Sequence, residues 1–578
     1  VVLQAQRRSI AVLGFQNTAG RASDAWLAAV LAEMLRTELG AGGQVRIVAG
    51  EQVAQIQTAS PWATDSLSPP SAARIGRAVN ADLLVLGAYA LVPAGKGPSL
   101  RVDFRLQDAR TGDIVFQGEQ LGTPPQLFGL VANLGIALRR RLGLPLVTAN
   151  EEAGVLAAMP ANPDAERLYA LGLERMQASD FATAKDLLVQ AEAIAPRFPL
   201  IHFLLARAWG LLGYDQIARR EARLALDLDH DLPPTSQLLV QASYFESERD
   251  PQQAAAAYRA LSSLYPDNLD YAFQLIAALN AAARREEALA VVARLRQLPP
   301  PASDDPQIDF WQAKLLSYSD GGAAGQWMDR AVAGAAARGL KLLYAQYRLE
   351  QCLAGIYGDQ PQAASARCQE AYGIFIAAGN RLEAADALRI QGDRAGAAGD
   401  VDAAMDFYQR ALALLGALDD HEKSGAVLNN MATLEENQGR IAAAAAHFEQ
   451  ARRNFLACND QLNVGTTLAN LGDVKLERGD LRGAAAHYQA ALDLGRVYEP
   501  AGGEYGYFSL AGVSLQQGDL QQAGRLAQRS LQIARARASA FAITQALSVA
   551  GDIAAAQGDA AAARQDYQQA LAARQRLG

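Results

Sequence analysis

Two patterns of apolar residues alternate over the first quarter of the chain. Apart from Ser9 and Asp82, residues 9–15 and 81–91 are apolar runs, which are typical of strands covered on both faces. Residues 100–106 alternate between apolar and polar positions, and 114–119 follow as their hairpin partner after a short turn. Stretches with helical spacing separate these strands. The order β-α-β-α-β-β-β-α predicts one compact α/β domain.

A different pattern begins at residue 164, where small and apolar residues recur at fixed spacing. Gly172, Ala184, Leu188, Ala191 and Pro196 stand at offsets 0, 12, 16, 19 and 24, and the series returns three times at intervals of 34, 36 and 34 residues. The period then lengthens to about 40. Turn glycines mark the longer units: Gly399, Gly439, Gly479, Gly518 and Gly558. The spacing matches the tetratricopeptide pattern and predicts about eleven helical hairpins.

The predicted fold class is therefore mainly α, with an α-solenoid of tetratricopeptide-type hairpins preceded by a small α/β domain. We predict the α/β domain over residues 1–146 and a polar, proline-punctuated linker over 147–162. Repeats of about 34 residues should occupy 163–340, and repeats of about 40 residues should occupy 341–578.

Three segments of the α/β domain, residues 9–17, 81–87 and 106–113, resemble the TolB-like amino-terminal domain. The resemblance extends over roughly residues 7–145. In bacteria such a domain often lies between a membrane span and a repeat array. It implies the sensory region of a transmembrane serine/threonine kinase, acting in signal transduction. Two alternatives stay open: the sensory half of a membrane-anchored winged-helix transcription regulator, and a free-standing adaptor.

The start of the sequence bears on location. It begins Val1-Val2-Leu3 rather than with methionine, and the basic pair Arg7-Arg8 follows. This is either the end of an apolar span upstream of residue 1 or the approach to the first strand. We expect the periplasmic side of the bacterial inner membrane, with the cytoplasm as the alternative.

Composition and motifs exclude several function classes. The net charge of −8 is small and dispersed, so no nucleic-acid partner is expected, and no run of 18 apolar residues would span a membrane. The sequence contains no phosphate-binding glycine loop, kinase catalytic loop or G-x-S-x-G elbow. We therefore predict a chain without enzymatic activity, cofactor or metal.

A protein or peptide ligand is expected on the concave face of the solenoid. In the tetratricopeptide register, the residues two before and one after the small position of each first helix point to that face. Asparagine amides there can pair with both the N–H and the C=O of an extended backbone. The nearby acids Glu436, Asp473 and Glu477 favour a basic ligand. The candidate contacts are Asn430, Thr433, Asn470, Asp473, Asp393 and Asp552.

Two of the three cysteines fall in complementary repeat positions. Cys352 takes the small position of the unit at 341–380, and Cys368 follows sixteen residues later, on the facing helix. Opposed helices bring such positions within reach of a disulfide in an oxidising compartment, whereas in the cytosol both would be buried thiols. Cys458 has no evident partner. The histidines lack a set of ligands with metal-site spacing.

Overall fold

A computed structural model describes residues 7–575 except 22–23, 60–61, 63–66, 95–96, 318–320, 356–360, 419, 499–503 and 537–538. Residues 1–6, to which the expectation of an upstream span was tied, lie outside the described residues. The chain begins with a five-stranded mixed sheet: β1 (Ser9–Asn17), β2 (Arg46–Ile47), β3 (Leu83–Ala94), β4 (Gly97–Asp108) and β5 (Ile114–Gly122).

The strand order in this sheet is β2-β1-β3-β4-β5. β1 runs parallel to β2 and β3, and β3, β4 and β5 form an antiparallel meander. Alternate residues of β1 pack on opposite sides: Ile10 and Val12 belong to one buried cluster, Ala11 and Leu13 to another. The continuous apolar run therefore arises because both faces of the sheet are covered.

Five helices accompany the sheet: α1 (Trp26–Gly40), α2 (Gly50–Ala59), α3 (Pro69–Val79), α4 (Leu127–Leu142) and α5 (Ala149–Ala157). The sequence pattern missed α2 and α5. Helix α5 lies within the predicted linker and begins with a capping box, in which Thr148 and Glu151 bind each other's backbone N–H. The domain boundaries themselves stay predictions.

Eleven hairpins of two helices follow within the described residues, in agreement with the about eleven that the sequence predicted. Their helices lengthen from 11–15 residues up to α14 to mostly 16–18 residues afterwards. In chain order they are α6 (Pro163–Gln177), α7 (Phe181–Ile194), α8 (Pro199–Leu211), α9 (Asp215–Leu228), α10 (Pro234–Ser247), α11 (Pro251–Leu264), α12 (Leu269–Ala281), α13 (Arg285–Leu295), α14 (Pro306–Leu316), α15 (Gly321–Ala337), α16 (Lys341–Ala354), α17 (Pro361–Ala377), α18 (Arg381–Ala397), α19 (Val401–Gly416), α20 (His421–Asn437), α21 (Ile441–Ala457), α22 (Gln461–Glu477), α23 (Leu481–Tyr498), α24 (Glu504–Gln516), α25 (Leu520–Ala536), α26 (Ala540–Ala556) and α27 (Ala560–Gln575).

The turns of the longer hairpins depend on glycine. Gly399, Gly439, Gly479, Gly518 and Gly558 all have positive φ, between 70° and 82°, a conformation that other residues adopt at a cost. After four of them an aspartate accepts a hydrogen bond from a backbone N–H in the first turn of the second helix.

The described chain divides into two compact units, Val1–Ile390 and Gln391–Gly578. In the first unit the α/β domain and the hairpins share their cores. On one side of the sheet, Val85 and Leu134 belong to the same buried cluster as Tyr169 of α6 and Leu205 of α8. The first helices of these hairpins therefore cover the face of the α/β domain that carries α1 and α4.

The other side of the sheet is covered in the same way by later hairpins. Leu84 and Ile75 cluster with Ala331 of α15 and Tyr347 of α16, and Tyr347 stacks on Phe310 of α14 with ring centroids 4.8 Å apart. Polar contacts lie between the two clusters: Arg7 pairs with Asp267 and Arg207 pairs with Glu51. The α/β domain thus shares its buried clusters with hairpins spread along the first unit.

The second unit has cores of its own, built at each hairpin and its neighbour. Tyr488 and Leu510 share one cluster, Phe448 and Leu471 a second, and Ala527 and Ile553 a third. Within the described residues, no helix has the length and apolar character needed to cross a membrane.

Candidate functional site

Three of the candidate contact residues, Asp393, Asn430 and Asn470, lie on first helices of the second unit and make hydrogen bonds between neighbouring hairpins. Asp393 Oδ1 accepts from Asn430 Nδ2 at 2.8 Å, and Asn429 Oδ1 accepts from Asn470 Nδ2 at 2.9 Å. These bonds connect α18 to α20 and α20 to α22. We call Asp393, Asn429, Asn430, Asn470 and Asp473 the polar ladder.

Tyrosines of the second helices hold the aspartates of the ladder in place. Tyr408 donates to Asp393 at 2.7 Å and Tyr488 donates to Asp473 at 2.5 Å. Tyr505 of α24 donates to the other oxygen of Asp473 at 2.6 Å, which extends the ladder to the next hairpin. The aspartates therefore have a structural role whether or not they contact a ligand.

The two remaining candidates stand apart from the ladder. Asp552 accepts from Tyr567 at 2.6 Å. Thr433 donates to the backbone oxygen of Asn429, one helical turn earlier, at 3.0 Å, and is exposed. Nothing in the structure assigns a ligand to any of the six candidates, so their role in binding stays a prediction.

The tyrosine–aspartate pairs follow a sequence rule that the periodicity analysis missed. Among the longer hairpins, those with tyrosine sixteen residues after the small position have Gly-Asp there: Gly392-Asp393 with Tyr408, Gly472-Asp473 with Tyr488, and Gly551-Asp552 with Tyr567. The tyrosine ring packs directly on the glycine, where a Cβ atom would collide with it. The hairpin with Phe448 instead has Ala432-Thr433. In these hairpins the tyrosine hydroxyl and the aspartate that accepts its hydrogen bond are thus present together or absent together.

An acidic group lies beside Asp473. Burial and, to a smaller extent, the charges of Asp473 and Glu477 together raise the pKa of Glu436 to about 7. Its Oε1 atom is buried and has no hydrogen-bond partner in the part of the chain that the structure describes. Burial also raises the pKa of Asp473, against the two tyrosine hydrogen bonds. A cation here would relieve the repulsion between these carboxylates.

Cys352 and Cys368 form a disulfide between α16 and α17, with Cα atoms 5.5 Å apart. In the hairpin of α16 and α17, Cys352 and Cys368 occupy the repeat positions that Gly392 and Tyr408 occupy in the hairpin of α18 and α19. A covalent bond between the two helices therefore replaces the packing of a tyrosine ring on a glycine. Both are fully buried. Cys458 is a free, buried thiol.

A thiol count tests the disulfide. Under denaturing, non-reducing conditions we expect one reactive thiol per chain, from Cys458, and three after reduction, because the chain has three cysteines. Three thiols before reduction would rule out the bond. The Cys458→Ala variant is the control, and it should show none before reduction and two after it.

One histidine is less isolated than its sequence context indicates. His202, Glu192 and Glu221 bring ligand atoms within 4.8 Å of one another in the first unit. His202 Nδ1 lies 2.8 Å from Glu221 Oε2, and Nε2 lies 2.8 Å from the Pro196 carbonyl oxygen. Both ring nitrogens thus face acceptors, as expected of an imidazolium paired with a carboxylate. Burial lowers the pKa of His202, but its bonds to Glu221 and Pro196 outweigh this and raise it overall.

The repeat pattern agrees with a known family over the carboxyl-terminal part of the chain. Residues 357–576 match the MalT-like TPR region. The match covers less than half of the chain, so it identifies a TPR-like repeat region and leaves the α/β domain unassigned. No curated protein is significantly similar to the chain in sequence.

Three solved structures resemble parts of the chain. BtubC (BKLC) from P. vanneervenii is 18% identical with a TM-score of 0.30, and covers 44% of this chain and 92% of its own. Aspartyl phosphate phosphatase F from Bacillus subtilis is 11% identical with a TM-score of 0.40, and covers 64% and 93%. The apo form of RapI is 12% identical with a TM-score of 0.39, and covers 47% and 98%. All three TM-scores are too low to support an argument about function.

Proposed function

We propose that this chain is a sensory or scaffold region that binds a basic segment of a partner protein on the first helices of its second unit. TPR-type repeats indicate a protein-binding or regulatory role. The proposed binding position, on the first helices of the second unit, rests on the polar ladder. Each of Asn430 and Asn470 uses one amide N–H in the ladder, and the second N–H and the carbonyl oxygen can serve an extended backbone.

The first unit is a weaker candidate for this role. Its hairpins pack their first helices against the α/β domain, through Tyr169 and Leu205 on one side of the sheet and Tyr347 on the other. A ligand for these surfaces would have to displace a shared hydrophobic core. In the second unit, Asn430 and Asn470 are only partly buried.

The chemistry of the ladder favours a cationic partner. Burial raises the pKa values of both Glu436 and Asp473, and the charges of Asp473 and Glu477 raise that of Glu436 further. A lysine or arginine side chain would supply the hydrogen-bond donors that Glu436 lacks and would stabilise the ionised forms.

The proposal extends to the cellular setting of the chain. The TolB-like resemblance of the α/β domain supports a periplasmic sensor of a transmembrane serine/threonine kinase. The Cys352–Cys368 disulfide supports an oxidising compartment, since such bonds are rare in the cytosol.

Peptide binding to the full chain tests the proposal. We expect a short peptide of glycine, serine and lysine to bind more tightly than its glutamate counterpart. The Asn430→Ala/Asn470→Ala double variant should weaken binding about tenfold, since hydrogen bonds contribute on the order of 1 kcal/mol each. Fluorescence anisotropy gives the affinities, and circular dichroism checks that the helix content is retained.

Asn437→Ala is the matched control, because Asn437 is an exposed asparagine at the end of the same helix, α20. It should bind the lysine peptide like the unaltered chain. Equal binding of both peptides, or full affinity in the double variant, would contradict the proposal.

A further inference from the structure

A polar cleft of about 270 Å³ lies within the first unit, between helix α2 of the α/β domain and the first helices of three consecutive hairpins, α12, α14 and α16. All four helices begin at this cleft. A residue from the first turn of each lines it: Glu51, Asp270, Gln307 and Lys341. Because this space is already empty, a small ligand can enter it without displacing the hydrophobic core that the α/β domain shares with the hairpins.

Asp270 supplies an unmet negative charge. Its carboxylate makes no hydrogen bond or ion pair with any described residue, and its oxygens keep some contact with solvent, so they are open to the cleft. Burial, with smaller contributions from Asp305 and Glu51, raises the pKa of Asp270 to about 6. The charge of Arg46 opposes this shift, but Arg46 donates to the carbonyl oxygen of Asn80 and does not pair with Asp270.

The start of α16 supplies unmet donors. Residues 340–343 all line the cleft, and no side chain caps this helix. In the described part of the chain, the backbone N–H groups of Leu342 and Leu343 have no acceptor. Lys341 is exposed and adds a positive charge to the same turn. An uncapped helix start with a lysine favours an anionic group.

We propose that this cleft binds a free α-amino acid with an aliphatic side chain, its ammonium group on Asp270 and its carboxylate at the start of α16. An ion of one sign would satisfy only one of these two places, whereas a zwitterion satisfies both. Ile56, Phe273 and Leu343 provide an apolar wall for the side chain. Small-molecule sites begin at about 300 Å³, so the cleft suits a ligand of this size.

Four glutamines also line the cleft and can serve the ligand as donors or acceptors. Their side chains make no hydrogen bond with a described residue: Gln52, Gln55, Gln274 and Gln307. Two of them belong to α2 and two to the hairpins. A bound amino acid would therefore contact the α/β domain and the hairpins together, and it should stabilise the first unit against unfolding.

Calorimetric titration of the full chain with L-leucine tests the proposal. We expect saturable binding, and a rise in the urea concentration at which the tryptophan fluorescence of the first unit changes. Leucinamide lacks the carboxylate and N-acetyl-L-leucine lacks the ammonium group. Each should bind at least about tenfold more weakly, because hydrogen bonds to charged groups are the stronger ones. Equal affinity of either analogue would show that the cleft does not recognise both charges and would overturn the proposal.

Two variants locate the site. Asp270→Asn should lower the affinity for L-leucine about tenfold and leave the weak binding of N-acetyl-L-leucine unchanged. Gln274→Trp should also lower the affinity for L-leucine, by filling the cleft from an exposed position on α12, and it serves if Asp270→Asn does not fold.

Asp304→Asn is the matched control, because Asp304 is an exposed aspartate that precedes α14 and does not line the cleft. It should bind L-leucine like the unaltered chain. Absence of saturable binding, or full affinity in either cleft variant, would contradict the assignment of an amino acid to this cleft.

Discussion

A chain that lacks residues 1–162 is expected to lose the native fold of its first unit. Tyr169 and Leu205 on one side, and Tyr347 and Ala331 on the other, are buried in clusters that these hairpins share with the α/β domain. Exposing a fully buried large apolar side chain costs about 1.5–3 kcal/mol. Exposing five of them would cost about 7–15 kcal/mol, which is comparable with the roughly 5–15 kcal/mol that stabilises a folded domain. The remaining hairpins should form helices that lack fixed packing.

Near-ultraviolet circular dichroism, tryptophan fluorescence and dye binding measure this loss. All five tryptophans, at positions 26, 62, 209, 311 and 327, lie in the first unit, so their fluorescence follows that unit alone. The control is a chain without residues 540–578, which removes one hairpin from the second unit and should leave the tryptophan unfolding curve unchanged. If the 163–578 chain unfolds cooperatively at the same urea concentration, the α/β domain is not part of this core.

Much of the hairpin fold could be predicted from sequence because its determinants are local. Each hairpin needs small residues where two helices meet and a glycine where they turn, and both recur at one period. The five predicted turn glycines all have the positive φ that the argument required. The strands of the α/β domain were equally clear, since residues 9–15 are apolar on both faces.

The docking of the α/β domain could not be predicted in the same way. In the sequence, Phe310 and Tyr347 resemble ordinary core residues of their own hairpins. The sheet residues in the same cluster lie more than 200 positions earlier in the chain. Nothing in the repeat period encodes a contact between a repeat and a non-repeating domain. Helix α5 was missed for another reason. Its residues are all at least partly exposed, so they lack a clear apolar stripe.

The sequence indicated which helices hold the candidate residues but not which side chains those residues contact. Repeat register correctly placed Asn430, Asn470 and Asp473 on first helices, because register depends on local spacing. It did not reveal that Asp473 is already bound by Tyr488 and Tyr505, since those rings come from other helices. The co-occurrence of Gly-Asp with tyrosine and of Ala-Thr with phenylalanine was the signal that could have found the first of these contacts.

Replacing Arg139 by methionine is expected to lower the free energy of unfolding of the first unit by about 3–5 kcal/mol, the usual effect of breaking a buried charged network. Arg139 is 1% exposed and lies in the last turn of α4. Its guanidinium binds the carbonyl oxygens of Glu38, Leu39 and Ala41 where α1 ends. These carbonyls have no later turn of helix to donate to them. Methionine preserves the apolar stem but leaves them, and the Glu38 carboxylate, without a cation.

Urea unfolding followed by tryptophan fluorescence measures the change, since it reports the first unit. Arg140→Met is the matched control, because Arg140 is the next residue of the same helix and is exposed. It should shift the free energy by no more than about 0.5 kcal/mol. Nothing in the run Arg139-Arg140-Arg141 distinguishes the three side chains by sequence, so unequal effects would follow from burial alone. Equal effects of the two variants would show that the guanidinium of Arg139 does not stabilise the end of α1.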